Sequence, residues 1–313
     1  MATVETVTGP VDEGELGHVL IHEHSCFRDE AVLAQWPHVH DQDDQLEKAL
    51  ADARAVMGHG VKTMGDPNAM FGGRDIRLSR RVAQETGLQI VLATGIYTYD
   101  YLPHFFANRE ADFMASCFVH DIEEGIQGTE FKAGFIKCAC DAPGMVEGVE
   151  KVHRAAARAS IQTGAPIMAH SRPAGRTGLE QMRIFEEEGV APTKVQIAHT
   201  GDTDDLGYIE ELLDRGPWIG MDRYGLDVFL PTDRRNATVI ALLERGHADR
   251  MMLSQDYCST IDWFPEEQLR AATPNWSMTF LFNEVIPTLK EQGMTDDQLE
   301  QMMEDNPRRW LTA

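Results

Sequence analysis

The stretch His18-Val19-Leu20-Ile21-His22-Glu23-His24 is a short apolar run that ends in a His-x-His pair. If the run is a β-strand, its side chains alternate and His22 and His24 point to the same side. Two imidazoles at one strand end can bind one divalent metal ion. One such pair is weak support for a metal site, so its meaning depends on how the other strands end.

Seven more short apolar runs follow along the chain, and longer amphipathic stretches separate them. The eight predicted strands cover residues 18–24, 61–67, 89–97, 133–140, 166–171, 194–201, 217–224 and 250–257. Apolar spacing predicts helices over residues 44–58, 74–87, 147–163, 178–188, 202–215, 234–245, 278–292 and 295–310. Alternating strands and helices predict parallel strands that are joined by right-handed crossovers.

Eight strand–helix units predict an α/β protein of the (β/α)₈ TIM-barrel type, with residues 1–313 forming one domain. A doubly wound open sheet is the competing architecture. It would normally carry a glycine-rich phosphate turn after an early strand, and the sequence has none. A closed barrel also brings its strand ends together, which an open sheet of this size does not.

Four later predicted strands also end at or near a potential metal ligand. The six candidate ligands are His22, His24, Lys137, His170, His199 and Asp256. Because barrel active sites form at the carboxyl ends of the strands, these side chains are expected to converge there. Four imidazoles and a carboxylate exceed the needs of one tetrahedral ion and suit two ions about 3.5–4 Å apart. Nitrogen and oxygen ligands without thiolate fit Zn²⁺, Co²⁺, Mn²⁺ or Fe²⁺.

Lys137 is the unusual member of this set, because two dications would repel an ammonium group. A desolvated lysine can lose its proton and react with CO₂, which gives an anionic carbamate able to bridge two metals. Alternatively, Lys137 forms an ion pair with a carboxylate such as Asp256. The spacing of the residues leaves both interpretations open.

Five longer motifs accompany the ligands, in the order HxH, K, H, H, D. They are Gly95-Ile-Tyr97-Thr-Tyr99 and the segments at 120–128, 201–204, 221–227 and 256–263. Together with the ligand order, they resemble the phosphotriesterase-like lactonases, a branch of the phosphotriesterase family within the amidohydrolase superfamily. The similarity runs from about Thr8 to Trp310, nearly the whole chain.

The resemblance implies a division of the metal ligands. His22, His24 and Asp256 hold the more buried ion, and His170 and His199 hold the more exposed one. Carbamylated Lys137 and a hydroxide bridge the two ions. Asp256 also takes the proton of the hydroxide and passes it to the leaving group.

The resemblance also assigns roles at the substrate. Tyr97 lies against the substrate oxygen, and Arg223 orients the ester, so both can stabilise a developing oxyanion. Alternatively, Tyr97 only packs at the barrel mouth, and Arg223 only pairs with Asp222 or Asp227.

For Asp202 and Asp204, the preferred interpretation is that they cap the following helix. The alternative is that they contact the metal ligands from behind.

Apolar loops after strands 7 and 8 predict a groove for an acyl chain or an alkyl lactone. The predicted pocket residues are Tyr99, Cys258, Ile261 and Trp263, with Leu226, Val228 and Phe229 nearby. Some of these side chains could form a subunit contact, because relatives in the family are homodimers, and the two roles are compatible. Two departures from the family pattern, the Arg172-to-Arg176 segment and Gln255, bear on specificity in a direction that the sequence does not indicate.

The leading functional hypothesis is a binuclear metal-dependent lactonase that hydrolyses neutral lactones, such as N-acyl homoserine lactones, with side activity on organophosphate triesters. The alternatives are an organophosphate triesterase and a non-catalytic metal-binding barrel. With 28 Lys and Arg against 51 Asp and Glu, the net charge of −23 argues against nucleic acids and anionic membranes as partners. Five scattered cysteines and no recognisable signal or membrane segment lead us to expect a cytoplasmic protein, and the family resemblance implies a homodimer.

Overall fold

Eight parallel strands form a nearly closed barrel in the computed structural model, which describes residues 2–313. The strands are β1 (His18–Leu20), β2 (Val61–Asp66), β3 (Gln89–Gly95), β4 (Phe135–Ala139), β5 (Ile167–His170), β6 (Val195–Ala198), β7 (Trp218–Met221) and β8 (Met251–Leu253). Each strand is hydrogen-bonded to the next one along the chain. This order confirms the predicted (β/α)₈ barrel, whereas the single-domain assignment stays a prediction.

The barrel closes just beyond the ends of β1 and β8. The N–H of Asp256 donates to the carbonyl of His22 at 3.0 Å, and the N–H of His24 donates to the carbonyl of Tyr257 at 2.8 Å. The N–H of Ser259 then donates to the carbonyl of His24 at 3.0 Å. This seam therefore lies at the carboxyl end of the barrel, and three of the predicted ligands form part of it.

Helices cover the outside of the barrel, and most of the predicted ones are present. Their bounds are Glu30–Gln35, Gln42–Met57, Ile76–Thr86, His104–Ala107, Ala111–Glu123, Glu147–Thr163, Thr177–Glu188, Leu206–Leu213, Thr232–Glu244, Glu266–Ala272, Ile286–Glu291, Asp296–Glu300 and Asn306–Leu311. Two π-helical turns, Leu281–Val285 and Gln301–Asp305, interrupt the last two predicted helices. Among residues 2–313, we find no helix whose length and apolar character would allow it to cross a membrane.

Some local predictions were incomplete. The sequence did not reveal the hairpin of Thr3–Thr6 with Gly9–Asp12 or the helix Ala111–Glu123. In that helix Phe113 is exposed while Met114 and Phe118 are buried, so apolar residues on both faces obscure the helical period. The helix expected at 202–215 begins only at Leu206, because Thr200–Asp202 form a 3₁₀ turn after β6.

Trp310 packs at the amino end of the barrel. Its ring lies 5.4 Å from that of Phe135, at the start of β4, and its Nε1 donates to the carbonyl of Lys194 at 3.1 Å. The side chain is fully buried in a cluster with inward-facing strand residues such as Phe135, Met168 and Trp218. The C-terminal helix therefore contributes a side chain to the barrel interior itself.

We predict that Trp310→Ala lowers the free energy of unfolding by about 3–5 kcal/mol, because it leaves a large cavity and an unpaired carbonyl. Urea denaturation followed by circular dichroism measures the change. Trp36→Ala is the matched control, because Trp36 is 57% exposed and its loss should change stability by no more than about 0.5 kcal/mol. Equal effects of the two substitutions would contradict the interior role of Trp310.

Candidate metal centre

The six predicted ligands meet at the carboxyl end of the barrel. They line the floor of one cavity of about 490 Å³. Asp256 is the common neighbour: its Oδ1 lies 3.2 Å from His22 Nε2 and 3.0 Å from His24 Nε2. His199 Nε2 lies 3.8 Å from Asp256 Oδ2, and Lys137 Nζ lies 3.2 Å from His22 Nε2.

The donor set fits a divalent metal ion. His22, His199 and Asp256 each offer one ligand atom, and these atoms lie within 4.8 Å of one another. Imidazole nitrogen and carboxylate oxygen are ligands of Zn²⁺ and its first-row neighbours. The structure thus brings the predicted ligands together, while the role of each one as a ligand stays a prediction.

Each of the four imidazoles is held from behind by an oxygen atom. Asp222 is fully buried and accepts from Nδ1 of His22 at 2.9 Å and from Nδ1 of His199 at 3.0 Å. The other two contacts are His24 Nδ1 to Asn68 Oδ1 and His170 Nε2 to Asp141 Oδ2, both at 3.0 Å. Such contacts fix the tautomer and orientation of a metal-binding histidine and leave its other nitrogen free.

These oxygen acceptors were not predicted from the sequence. Asp222 was predicted only as an alternative partner of Arg223, and no role was predicted for Asn68 or Asp141. A usable signal was present, because Asp222 directly follows β7 and Asp141 lies two residues beyond β4. The rule that singled out the histidines, a polar residue at the carboxyl end of a barrel strand, applies to these residues as well.

Burial sets the protonation of most of these groups. It lowers the pKa of His22, lowers that of His170 to about 4, and lowers that of Lys137 to about 8. His24 behaves differently, because the carboxylates of Asp256 and Asp66, at 3.0 Å and 3.6 Å from its ring nitrogens, outweigh burial and raise its pKa to about 9. Neutral imidazoles are the form that binds a metal, so binding at His24 must release a proton.

Arg223 lines the cavity beside Asp256 and does not pair with Asp222 or Asp227. Its Nε donates to Asp256 Oδ2 and its Nη1 donates to Asp202 Oδ2, both at 2.9 Å. Burial favours the neutral guanidinium, but these two carboxylates outweigh burial and hold its pKa above the usual range. The alternative interpretation, in which Arg223 only pairs with Asp222 or Asp227, is therefore wrong.

Capping of the following helix by Asp202 or Asp204 was also wrong. The cap of helix Leu206–Leu213 is Asp205, whose side chain accepts from the N–H of Tyr208. The physical reason is the 3₁₀ turn, which delays the start of the helix, and the two oxygens of Asp202 instead accept from Arg223 and Arg235.

Arg235 is a further residue that the sequence-based reasoning missed. Its guanidinium is buried and donates to Asp202 Oδ1 at 2.6 Å, to the carbonyl of Gly201 at 2.6 Å and to that of Leu230 at 3.0 Å. It therefore joins the loop after β6 to the loop after β7. No sequence motif marks it, because these partners lie on other segments.

Tyr97 and Tyr99 form one wall beside His170. The hydroxyl of Tyr97 is hydrogen-bonded to that of Tyr99 and lies 3.3 Å from Nδ1 of His170. Burial raises the pKa of Tyr97 well above its usual value and that of Tyr99 to about 12. Both phenols are therefore neutral hydrogen-bond donors at physiological pH.

The remaining predicted pocket residues, Cys258, Ile261 and Trp263, also line the cavity. Burial raises the pKa of the Cys258 thiol well above its usual value, so a thiolate nucleophile is not expected. Within the segment that departs from the family pattern, Arg172 Nη1 lies 3.3 Å from Asp141 Oδ1, and Arg176 contacts Glu211. Gln255 does not line the cavity; it hydrogen-bonds to the backbone of Met278 and Leu281.

The fold and the site define a class of barrel protein with a histidine and carboxylate cluster suited to divalent metal ions. The chain belongs to the phosphotriesterase family, which it matches over residues 2–311. It is 47% identical over 305 residues to an aryldialkylphosphatase of Saccharolobus solfataricus, covering 96% of this chain and 97% of the relative. It is 30% identical over 301 residues to a phosphotriesterase homology protein of Escherichia coli, covering 94% and 98% of the two chains.

A solved structure agrees with this assignment. The structure of the phosphotriesterase from Mycobacterium tuberculosis aligns with a TM-score of 0.96 at 44% identity, covering 99% of this chain and 98% of that chain. Family membership makes the chain a hydrolase of the phosphotriesterase type and confirms the family resemblance.

We predict that Asp222→Asn weakens metal binding by about 10–100-fold, because an amide offers one acceptor oxygen where two imidazole N–H groups need two. Competition between the protein and a chelator for Co²⁺ measures the affinity. Asp121→Asn is the control, because Asp121 pairs with Arg74 outside the site. Unchanged Co²⁺ affinity in Asp222→Asn would show that Asp222 does not orient the ligands.

Proposed function

We propose that the protein is a binuclear metal-dependent lactonase that hydrolyses neutral lactones and has side activity on organophosphate triesters. The observation that carries the proposal is a cavity with a histidine and carboxylate floor and apolar walls. The walls are formed by Phe27, Leu226, Val228, Phe229, Ile261, Trp263 and Phe264. An ester that reacts at the floor can therefore place an alkyl chain against the walls.

The charges of the site favour a neutral substrate. The guanidinium of Arg223, the cation nearest to Asp256, is already bound by two carboxylates and has little capacity to neutralise an added anion. The net charge of −23 also disfavours the approach of anions. An N-acyl homoserine lactone combines a neutral ester ring with an apolar chain. An enzyme that hydrolyses such lactones would act in quorum quenching.

We propose two divalent ions per chain, with Zn²⁺ as the first candidate and Co²⁺, Fe²⁺ or Mn²⁺ as alternatives. One ion would be held by His22, His24 and Asp256, and the other by His170 and His199. Lys137, carbamylated by CO₂, would be a ligand of both ions. When bound, such ions lower the pKa of water and polarise the ester oxygen. Support for the carbamate comes from burial, which lowers the pKa of Lys137 to about 8 and so favours the reactive neutral amine.

The protein's own groups around this centre can assist ester cleavage. Burial raises the pKa of Asp256, but His22 and His199 outweigh it, so the carboxylate is ionised and able to accept a proton from the attacking water. It can return that proton to the leaving alkoxide. The phenol of Tyr97 and the guanidinium of Arg223 are donors that can stabilise charge on the substrate oxygen.

The second candidate is an organophosphate triesterase, and the name of the relative from Saccharolobus solfataricus favours it. Ester hydrolysis and phosphoryl transfer both develop charge on an oxygen beside the floor of the cavity, so one site can serve both reactions. Comparison of kcat/KM for a long-chain lactone and for paraoxon separates the two candidates. We expect the higher value for the lactone, whereas a much higher value for paraoxon would make the triesterase the principal activity.

Metal analysis, together with the same kinetic measurements, tests the third candidate, a non-catalytic barrel. Metal analysis should give about two ions per chain after loading with Co²⁺ or Zn²⁺. Fewer than about one ion per chain, together with no hydrolysis of either substrate, would favour a non-catalytic role.

We also propose that the protein is a cytoplasmic homodimer. The support is an exposed aromatic cluster in which the rings of Phe105 and Phe113 lie 5.8 Å apart, and apolar surface of this kind is common at subunit contacts. Light scattering on the purified protein measures the mass, and a value near 35.0 kDa, that of one chain, would contradict the dimer.

We predict that Tyr97→Phe lowers kcat/KM for the lactone by about 10–100-fold, because it removes one donor beside the substrate oxygen. Steady-state kinetics at a fixed metal content measures the change. Tyr101→Phe is the matched control, because Tyr101 is mostly exposed and outside the cavity. If both variants retain full activity, the phenol of Tyr97 only packs at the barrel mouth.

We predict that ¹³C-labelled bicarbonate gives a carbamate signal from Lys137, and that Lys137→Arg abolishes it. In metal-free protein the signal should increase as the pH rises through about 8, because the neutral amine, whose fraction grows with pH, is the reacting form. Nuclear magnetic resonance between pH 6 and 9 measures this. A fully metallated protein without the signal would show that Lys137 is a free lysine.

A further inference from the structure

Glu23 separates two of the predicted ligands, His22 and His24, in the first motif. The side chain is fully buried at the seam of the barrel. There Oε1 accepts from the N–H of Gln255 at 2.8 Å, and Oε2 accepts from the N–H of Tyr257 at 2.7 Å.

The residue between these two N–H groups is Asp256. Its backbone has a φ of 50°, which is the left-handed region that residues other than glycine rarely adopt. Such a conformation persists only where the surroundings hold it in place. The N–H of Asp256 itself donates to the carbonyl of His22 at 3.0 Å, so three successive backbone N–H groups are held by His22 and Glu23.

The position of the Asp256 side chain follows from this backbone. Its Oδ1 lies within 3.2 Å of the Nε2 atoms of His22 and His24, and its Oδ2 accepts from Nε of Arg223. A peptide rotation at residue 256 would move the carboxylate away from all three groups. The two contacts of Glu23 lie on either side of that residue, where they oppose such a rotation.

We propose that Glu23 is a positioning residue: its two side-chain oxygens hold the backbone on both sides of Asp256 and thereby orient the Asp256 side chain for metal binding and proton transfer. The proton-transfer part rests on the proposed function. The metal-binding part is independent of any substrate, so the two can be tested separately.

Glu23→Gln tests the proposal, because the amide keeps the shape of the side chain but has only one acceptor oxygen. Its NH₂ group would face one of the two backbone N–H donors. We expect the dissociation constant for Co²⁺, measured against a chelator, to rise about 10–100-fold. We also expect kcat to fall, with a smaller change in KM, because the apolar walls that bind the substrate are unchanged.

Asn306→Ala is the matched control. Asn306 is also fully buried and makes two hydrogen bonds to the chain at β8, but at its amino end, to the carbonyls of Ala248 and Met251 at 2.7 Å each. Its loss should lower the melting temperature and leave Co²⁺ affinity within about twofold of the original value. If Glu23→Gln also destabilises the fold without weakening Co²⁺ binding, Glu23 is merely structural and the proposal is overturned.

A double-mutant cycle gives a stricter test. In an Asp256→Asn background, Glu23→Gln should weaken Co²⁺ binding by less than about threefold, because the carboxylate that it positions is already absent. Full additivity of the two effects would overturn the proposal.

If Glu23→Gln does not fold, Glu23→Asp replaces it, since it keeps both oxygens but withdraws them by one methylene. Unchanged Co²⁺ affinity in that variant would equally overturn the proposal. Absence of lactone and triester hydrolysis in the unmodified protein would instead affect only the proposed function.

Discussion

Closure of the barrel between the ends of β1 and β8 is the constraint on which the site depends. Hydrogen bonds that join His22 and His24 to Asp256 and Tyr257 bring the first and last predicted ligands together, although they are more than 230 positions apart in the chain. The same backbone contacts complete the barrel and place the Asp256 carboxylate against two imidazoles. Fold and site are therefore stabilised by one set of interactions.

The centre concentrates polar groups that are costly to bury. An unpaired imidazole or carboxylate would lose its hydration at this depth, and the structure compensates by giving each histidine an oxygen acceptor on one ring nitrogen. Asp222 does this for two histidines at once. The other ring nitrogens of His22 and His24 remain directed at Asp256. A bound cation would be attracted by the lone pairs that these nitrogen and oxygen atoms bring together.

The walls of the cavity depend on a second network, between arginines and carboxylates. Arg235 donates hydrogen bonds to Asp202 and to the carbonyl of Leu230. Asp202 also accepts from Arg223, and Arg223 donates to Asp256. The guanidinium of Arg223 also lies 4.6 Å from the centre of the Phe229 ring, on the exposed side of the pocket. The loop that carries Phe229 is thereby connected to Asp256, the residue proposed to move the proton.

The sequence alone determined the number and order of the strands and the convergence of six polar residues, because strand periodicity is local and barrel strands place their carboxyl ends together. Partners from distant segments could not be predicted in this way. Arg223 bound Asp202 and Asp256 rather than its sequence neighbours, Asp222 turned to the histidines, and Glu23 reached the backbone beside Asp256. These contacts depend on the direction of each side chain and on the path of each loop, which the folded chain fixes and the local sequence does not specify.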